Sequence, residues 1–357
     1  MIFDPKKTIF RNSDTVIRHE HYAKQLSTIN PGSTLTIYSF RLRKKNLEFQ
    51  DLIEKLGTFT FNIFVLSKDN RKFLSNVNTV VFGEPFIAPT VFKILRFNRL
   101  VPSTVKYQIQ FHGDFFDSNW YRKPNNWLRY ILMKINIRNA DSLRFVSNAQ
   151  FSKYISTNPN FDDAFVAPIP SILPGTVIER YTSNRPLTIG YLGRITKERG
   201  LDNLRNILKI FENEKKVKFL IVGNGDSLDD LKSFISKLKN HRNIEVKGYL
   251  GQDKLEETFW SKIGVLVNTA LVESYGLAMR EAVIRNIPVI SLPNAGAMEL
   301  VNDIPNAPVE FYDLHHLSRL NAKIIELCNI QVTGDFFKIQ YIRDMKNTEK
   351  LLRSWLQ

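Results

Sequence analysis

Glu273 and Glu281 close the two ends of the stretch ESYGLAMREA, eight residues apart. Two carboxylates at a fixed spacing, with a glycine and small side chains between them, can hold hydroxyl groups of one polar ligand. On a single ideal helix eight residues turn through about 80°, so the two acids would not stack on one face. A helix that starts after the first acid, near Ser274 or Tyr275, changes that geometry. The amides of Tyr275, Gly276 and Leu277 then point out of the first turn, where they suit phosphate oxygens. Gly276 keeps that approach clear of a side chain.

Other chemistry-bearing residues fall at the ends of apolar runs. GRITKERG (193–200) carries Gly193, Arg194, Lys197 and Arg199. Basic groups ahead of a helix suit a diphosphate, and the alternative is a solvated basic turn. In LIVGNG, Gly223 and Asn224 precede Gly225, a pattern that lets backbone approach a ligand closely. Tyr249 and Leu250 end a strand that can present main-chain groups to a base. FHGDFF (111–116) sets His112 and Asp114 after another strand. His112 reads either as a ligand-facing group or as a histidine satisfied in a core. The chain holds no Asp-x-Asp triplet and no Cys/His cluster, so no metal or other cofactor is expected.

The elements that position these residues alternate in type. Strand candidates are 34–40, 59–66, 79–82, 107–113, 143–147 and 163–169, then 187–193, 218–225, 244–250, 263–269 and 287–293. Helical patterns such as LDNLRNILKIFEN (201–213) lie between most of them. Near-continuous apolar strands between helices predict parallel sheets covered on both faces. Two such series predict an α/β protein of two doubly wound, Rossmann-like domains facing across a cleft. The break falls in PSILPGTVIERYTSNRP (170–186), rich in Pro, Gly, Ser and Thr. The expected domains are 1–178, 179–333 and a terminal helix over 334–357 that packs back toward the first domain.

Composition narrows the class. The 357 residues are 43% hydrophobic and 24% charged, as in a soluble protein with real cores. One cysteine, Cys328, rules out an internal disulfide and fits a buried small hydrophobe in a reducing cytosol. No signal-peptide pattern opens the sequence, and the longest apolar run is too short to span a bilayer. The net charge of +15 is uneven, with 25 Lys and Arg against 14 Asp and Glu in residues 1–180. That half favours anionic surroundings. VFKILRFNRLV (91–101) and NWYRKPNNWLRYILMKI (119–135) mix cations with aromatics. They read as core helices with snorkelling cations, or as helices lying on an anionic membrane. No nucleic-acid-binding signature accompanies the basic charge, so nucleic acid is not expected as a partner.

Taken in order, G-R-x-x-x-x-R-G, LIVGNG, the strand before GYL, ESYGLAMREA, and IPVI with Gly296 and Glu299 resemble the retaining glycosyltransferases of family 4, which have the GT-B fold. The similarity covers residues 187–301. It implies a nucleotide-sugar donor, UDP- or GDP-linked, and transfer to a hydroxyl of a glycan or lipid-linked saccharide, as in polysaccharide or O-antigen assembly. It places Glu281 on the ribose, Glu273 on the donor sugar and the backbone of Ser274 to Leu277 on the diphosphate. Arg194 and Arg199 would serve the leaving group, Tyr249 and Leu250 the base. Arg199 stands where the family usually has lysine.

The first domain departs further from that pattern. The family's glycine-rich loop is missing, and Asp14, Thr15, Arg18 and His19 stand in its region, with Asp114 on the same acceptor side. The family often places a histidine beside the donor sugar, the role His112 would take. Arg138, Asp141 and Ser147 read as structural. A sugar-nucleotide epimerase of the same fold and a non-catalytic sugar-nucleotide binder remain alternatives.

Overall fold

The computed structural model describes residues 2–3, 14–41, 54–56, 59–65, 77–99, 101–113, 115–116, 124–158, 163–171, 187–314, 319–330 and 332–357. The chain divides into two compact units, Met1–Ile169 with Met345–Gln357, and Pro170–Asp344. The division falls at Ile169/Pro170, nine residues before the boundary expected from composition.

The second unit is one six-stranded sheet in the order β11-β10-β9-β12-β13-β14. Its strands are β9 (Thr188–Leu192), β10 (Lys218–Val222), β11 (Ile244–Gly248), β12 (Val265–Asn268), β13 (Val289–Ser291) and β14 (Val309–Phe311). Every pairing is parallel. The centre of the sheet is apolar on both faces, as a sheet covered by helices must be. One core gathers Ile189, Phe219, Ile221, Val265, Val267 and Cys328, and the other gathers Leu220, Val222, Leu266, Val289 and Trp260. Strand order reverses at β9, and GRITKERG follows that strand directly. Ligands in such sheets bind beyond the carboxyl ends, at this switch point.

The first unit is α/β as well, as the alternation of strands and helices predicts. It holds two four-stranded sheets, β1-β2-β4-β3 and β5-β6-β7-β8. The first comprises β1 (Ile2–Phe3), β2 (Leu35–Arg41), β3 (Glu54–Leu56) and β4 (Phe59–Val65). β3 runs antiparallel to β4, and β1 pairs with β2 over two positions. The second sheet, β5 (Thr79–Phe82), β6 (Lys106–Phe111), β7 (Ser142–Phe145) and β8 (Ala164–Val166), is wholly parallel.

Helices of the first unit are α1 (Asp14–Ile29), α2 (Ile87–Phe97), α3 (Pro124–Ile137) and α4 (Asn148–Thr157). The second has α5 (Leu201–Ile210), α6 (Leu228–Ile235), α7 (Gln252–Leu255), α8 (Leu277–Val283), α9 (Ala295–Asp303) and α10 (Leu320–Asn329). The terminal helix α11 (Phe336–Leu356) begins in the second unit and ends in the first. Its last turn is fixed there, with Trp355 Nε1 donating to Gln108 Oε1 (3.0 Å) and Thr79 Oγ1 donating to the Trp355 carbonyl (2.9 Å). Asp141 and Ser147 are structural, as expected. Asp141 accepts from the Tyr107 amide (2.8 Å), and Ser147 caps α4.

One polar cluster fixes α8. Arg280 is fully buried. It donates to Asp303 Oδ2 (2.7 Å), to Gln340 Oε1 (3.1 Å) and to the Tyr275 carbonyl (3.3 Å), and its guanidinium lies 4.0 Å from the centroid of the Tyr275 ring. Asp303 also pairs with Arg343 at 2.6 Å. A buried ion pair is costly to break from one side, because the remaining charge loses its partner. Arg280→Met is expected to destabilise the protein by about 3 kcal/mol, the lower end of that range because Asp303 keeps Arg343. Urea unfolding measures it, and a wild-type midpoint would contradict the cluster's role.

Candidate functional site

Sequence-predicted residues of the second unit converge beyond the carboxyl ends of β9, β10 and β12. After β9, Gly193 donates its amide to the Val222 carbonyl (3.1 Å). Gly223 has φ +146°, and a Cβ there would lie 1.8 Å from the Gly193 carbonyl oxygen. Only glycine allows these two turns to touch. Asn224 is exposed, and its side chain accepts from the Gly225 amide (2.8 Å). Tyr191, at the floor, donates to the Arg194 carbonyl (2.9 Å), and burial pushes its phenol up to about 12, so it remains a neutral donor.

Arg199 and Glu273 form an ion pair, both partly exposed. The second carboxylate oxygen of Glu273 accepts from the Ser274 amide (3.1 Å), and its carbonyl accepts from the Gly296 amide (2.8 Å). Gly296 is required, since a Cβ there would come within 2.9 Å of the Gly276 nitrogen. The acid expected on a donor sugar and a cation expected on the leaving group are therefore in direct contact. Arg194 is exposed and near enough to Arg199 and Glu273 for their charges to act on it. The surrounding protein and the neighbouring Arg199 lower its pKa, from a value so high that the charge is kept at neutral pH.

The ESYGLAMREA stretch corrects two details. Its helix starts at Leu277 rather than at Ser274–Tyr275, because Gly276 takes the left-handed conformation (φ 75°) as its N-cap. The Ser274 amide is occupied by Glu273 and is not available to a phosphate. Among the described residues, no backbone carbonyl accepts from the amides of Tyr275, Gly276 and Leu277. The Tyr275 side chain is buried under Arg280, so only its backbone faces the site. Glu281 is 7% exposed, and its carbonyl accepts from Arg285, which pairs with Glu256 at 2.8 Å. Tyr249 is 50% exposed just beyond β11, with Leu250 next to it, partly buried.

A second group of predicted residues gathers in the first unit. Arg18, His19 and His112 line one cavity of about 750 Å³. The region expected to replace a glycine-rich loop is the helix α1, so Arg18 and His19 sit one turn apart from Tyr22 on a helix rather than in a loop. Asp14 is the first residue of that helix. Asp114 lies outside the described residues. His19 Nδ1 hydrogen-bonds the Thr15 carbonyl (2.7 Å). Burial lowers its pKa to about 4, against that hydrogen bond, and Arg18 adds to the fall.

His112 opens onto the cavity and is exposed there. Desolvation, then Arg144 and Arg18, hold its pKa well below the usual histidine range. Its Nε2 meets Gln110 Oε1 (3.2 Å), an acceptor already bonded by Arg144 Nη1 (2.8 Å). The ring is therefore neutral with its proton on Nε2, and Nδ1 is left as an acceptor. His112 stands at the end of a buried ladder along β6. Gln110 donates to Gln108 (3.2 Å), and Gln108 donates to Ser142 (3.0 Å) and Ser354 (2.9 Å). Sequence reasoning passed over Gln108, Gln110, Arg144, Tyr22 and Trp355. The signal for the ladder is the alternation Q-I-Q-F-H, which puts Gln108, Gln110 and His112 on one face of a strand.

Comparisons with known proteins bear on the family and the fold. Residues 179–327 match the model of the family described as glycosyl transferases group 1. The poly(ribitol-phosphate) alpha-N-acetylglucosaminyltransferase of Staphylococcus aureus (strain COL) is 23% identical over 254 residues, 70% of this chain and 48% of that protein. The chain spans about half the length, or less, of the curated relatives it matches first. Sucrose-phosphate synthase from Thermosynechococcus elongatus superposes with a TM-score of 0.70 at 14% identity, covering 96% of this chain and 91% of that one. The pneumococcal O-GlcNAc transferase GtfA, solved with UDP and GlcNAc, gives 0.59 at 18% identity over 80% of this chain and 58% of that one. The fold is the two-domain α/β architecture of GT-B glycosyltransferases, and its second unit carries the match to glycosyl transferases group 1.

Proposed function

We infer that the protein transfers a sugar from a nucleotide sugar to a hydroxyl of a glycan or lipid-linked saccharide, with retention of the anomeric configuration. The observation that carries this reading is the Arg199–Glu273 pair, set beside the amides of residues 275–277 within the group 1 domain. Arg194, Arg199 and those amides stabilise the leaving diphosphate. They do so electrostatically, as groups fixed before charge develops. With two guanidiniums at the diphosphate, no metal is assigned to it. Glu273 orients hydroxyls of the donor sugar, Glu281 those of the ribose, and Tyr249 with Leu250 borders the base. The acceptor oxygen attacks the anomeric carbon on the face the diphosphate leaves, and its proton passes to the departing phosphate oxygen. Retaining glycosidases use two close carboxylates, one as nucleophile; here the first acid is held by an arginine and the second is buried.

UDP is the favoured nucleotide, since GtfA was solved with UDP and GlcNAc. A relative acting on poly(ribitol-phosphate) supports a glycan-assembly setting, of the polysaccharide or O-antigen type. A melting-temperature screen with UDP-, GDP- and ADP-sugars identifies the donor, which at a hundred times its Kd adds about 2.7 kcal/mol of stability. Glu273→Gln should keep that stabilisation and lose transfer by about 100-fold or more. Full transfer by this variant would refute the role of Glu273. An isomerised nucleotide sugar, formed with no acceptor present, would favour an epimerase instead.

The basic-aromatic stretches support attachment to an anionic membrane. α2 buries Ala88, Pro89, Phe92 and Leu95 yet leaves Phe97 88% exposed. α3 leaves Trp127 62% exposed, and the helices are linked by Lys93 Nζ donating to the Ile135 carbonyl (3.1 Å). Arg96, Arg99, Arg129 and Arg138 belong to the same two helical regions. Rings at headgroup depth with cations on phosphates are the pattern of a surface-bound helix pair. Among the described residues no helix is long and apolar enough to cross a membrane. The protein should sediment with vesicles containing anionic lipid at low salt, and Phe97→Ser with Trp127→Ser should release it. Equal sedimentation with neutral vesicles would overturn the charge argument.

A further inference from the structure

The 750 Å³ cavity of the first unit lies outside the group 1 match, and of the residues tied above to the donor only His112 lines it. Its size is that of small-molecule sites. Its walls come from α1, from the starts of β2 and β5, from the end of β6 and from the last turn of α11. Arg18 and Arg144 both line it, and among the described residues no Asp or Glu does. Arg144 is buried and held by Gln110, by the Ala167 carbonyl (2.7 Å) and by the Pro168 carbonyl (3.1 Å). Arg18 has no ion-pair partner among the described residues, and its Nε is buried without an acceptor. The Tyr22 hydroxyl, on a side chain 1% exposed, is likewise unpartnered at the cavity wall. Buried polar groups left unbonded are rare and call for an explanation. Both histidines of the wall are held neutral, and the same two arginines contribute, so the interior is at positive potential. Asn78, Thr34 and the ring of Trp355 add hydroxyl- and amide-bonding groups and an aromatic surface.

We propose that this cavity binds a saccharide carrying an anionic group, phosphate or carboxylate, with Arg18 and the Tyr22 hydroxyl on the anion and His112 Nδ1 accepting from a sugar hydroxyl. The anion gives Arg18 the partner it lacks, and a charge-assisted bond of this kind outweighs a neutral one. The proposal deepens the transferase reading by naming the class of acceptor, and rests on that reading only for the word acceptor.

The test uses the full chain without donor. Calorimetry is run with a hexose 6-phosphate, the matching hexuronate, the neutral hexose and inorganic phosphate. At least one anionic sugar should bind more tightly than both the neutral hexose and phosphate, and its affinity should fall with salt. Arg18→Met should weaken it about tenfold or more. Tyr22→Phe removes a hydroxyl that has no protein partner, so its unfolding midpoint should be unchanged while binding weakens. UDP binding should be unaffected in both variants. Binding no tighter than that of the neutral hexose, phosphate alone matching the best sugar, or wild-type affinity in Arg18→Met and Tyr22→Phe would overturn the proposal. Loss of UDP binding by the wild-type protein would instead count against the donor site.

Discussion

A charge with no solvent must be satisfied by the protein around it, and Arg280 is such a charge. Its guanidinium meets Asp303 at the end of α9, Gln340 on α11, and the carbonyl and ring of Tyr275. Moving Asp303 would leave the guanidinium unpaired in a medium where that costs several kcal/mol, and moving Gln340 or Tyr275 would leave buried N–H groups without an acceptor or the cation without its ring. The cluster therefore fixes the entry to α8, and with it the chain from Glu273 to Leu277. The acid and the three amides that face the site inherit their places from a cation that never touches it.

The rest of that loop is fastened at points and free between them. Asn294 donates to the Ala270 carbonyl (2.8 Å) while capping α9, and Gly296 holds the Glu273 carbonyl. Between these anchors Leu271 is 62% exposed. A site on rigid supports keeps its geometry without reorganising when charge develops, which is the condition for electrostatic stabilisation. The pairing of Arg199 with Glu273 serves the same end. Each is partly exposed, and each would otherwise sample many rotamers.

Legibility in the sequence followed from how local the cause was. The parallel sheet of the second unit was readable because each strand is a short apolar run ended by glycine or a polar residue. Arg194, Arg199, Glu273 and Gly276 were readable because one sheet end collects them in chain order. The start of α8 was misplaced by two to three residues, since Gly276 terminates the loop through its positive φ, which spacing does not reveal. Arg280 passed unnoticed because its partners lie 23 and 60 residues away.

The β6 ladder shows why the last turn of the chain matters to the first unit. Gln108 is fully buried, and an amide in that position must find partners or pay a desolvation cost comparable to a lost hydrogen bond. Its oxygen is met by Trp355 and Gln110, and its nitrogen by Ser142 and Ser354. Two of those four groups belong to the final turn of α11. The turn thus completes a network that runs through Gln110 to His112 and fixes which ring nitrogen carries the proton. Trp355 packs edge-on against Tyr22 at 5.9 Å between centroids, so one side chain closes the cavity wall, orders α1 and sets the hydrogen-bond direction of the histidine opposite.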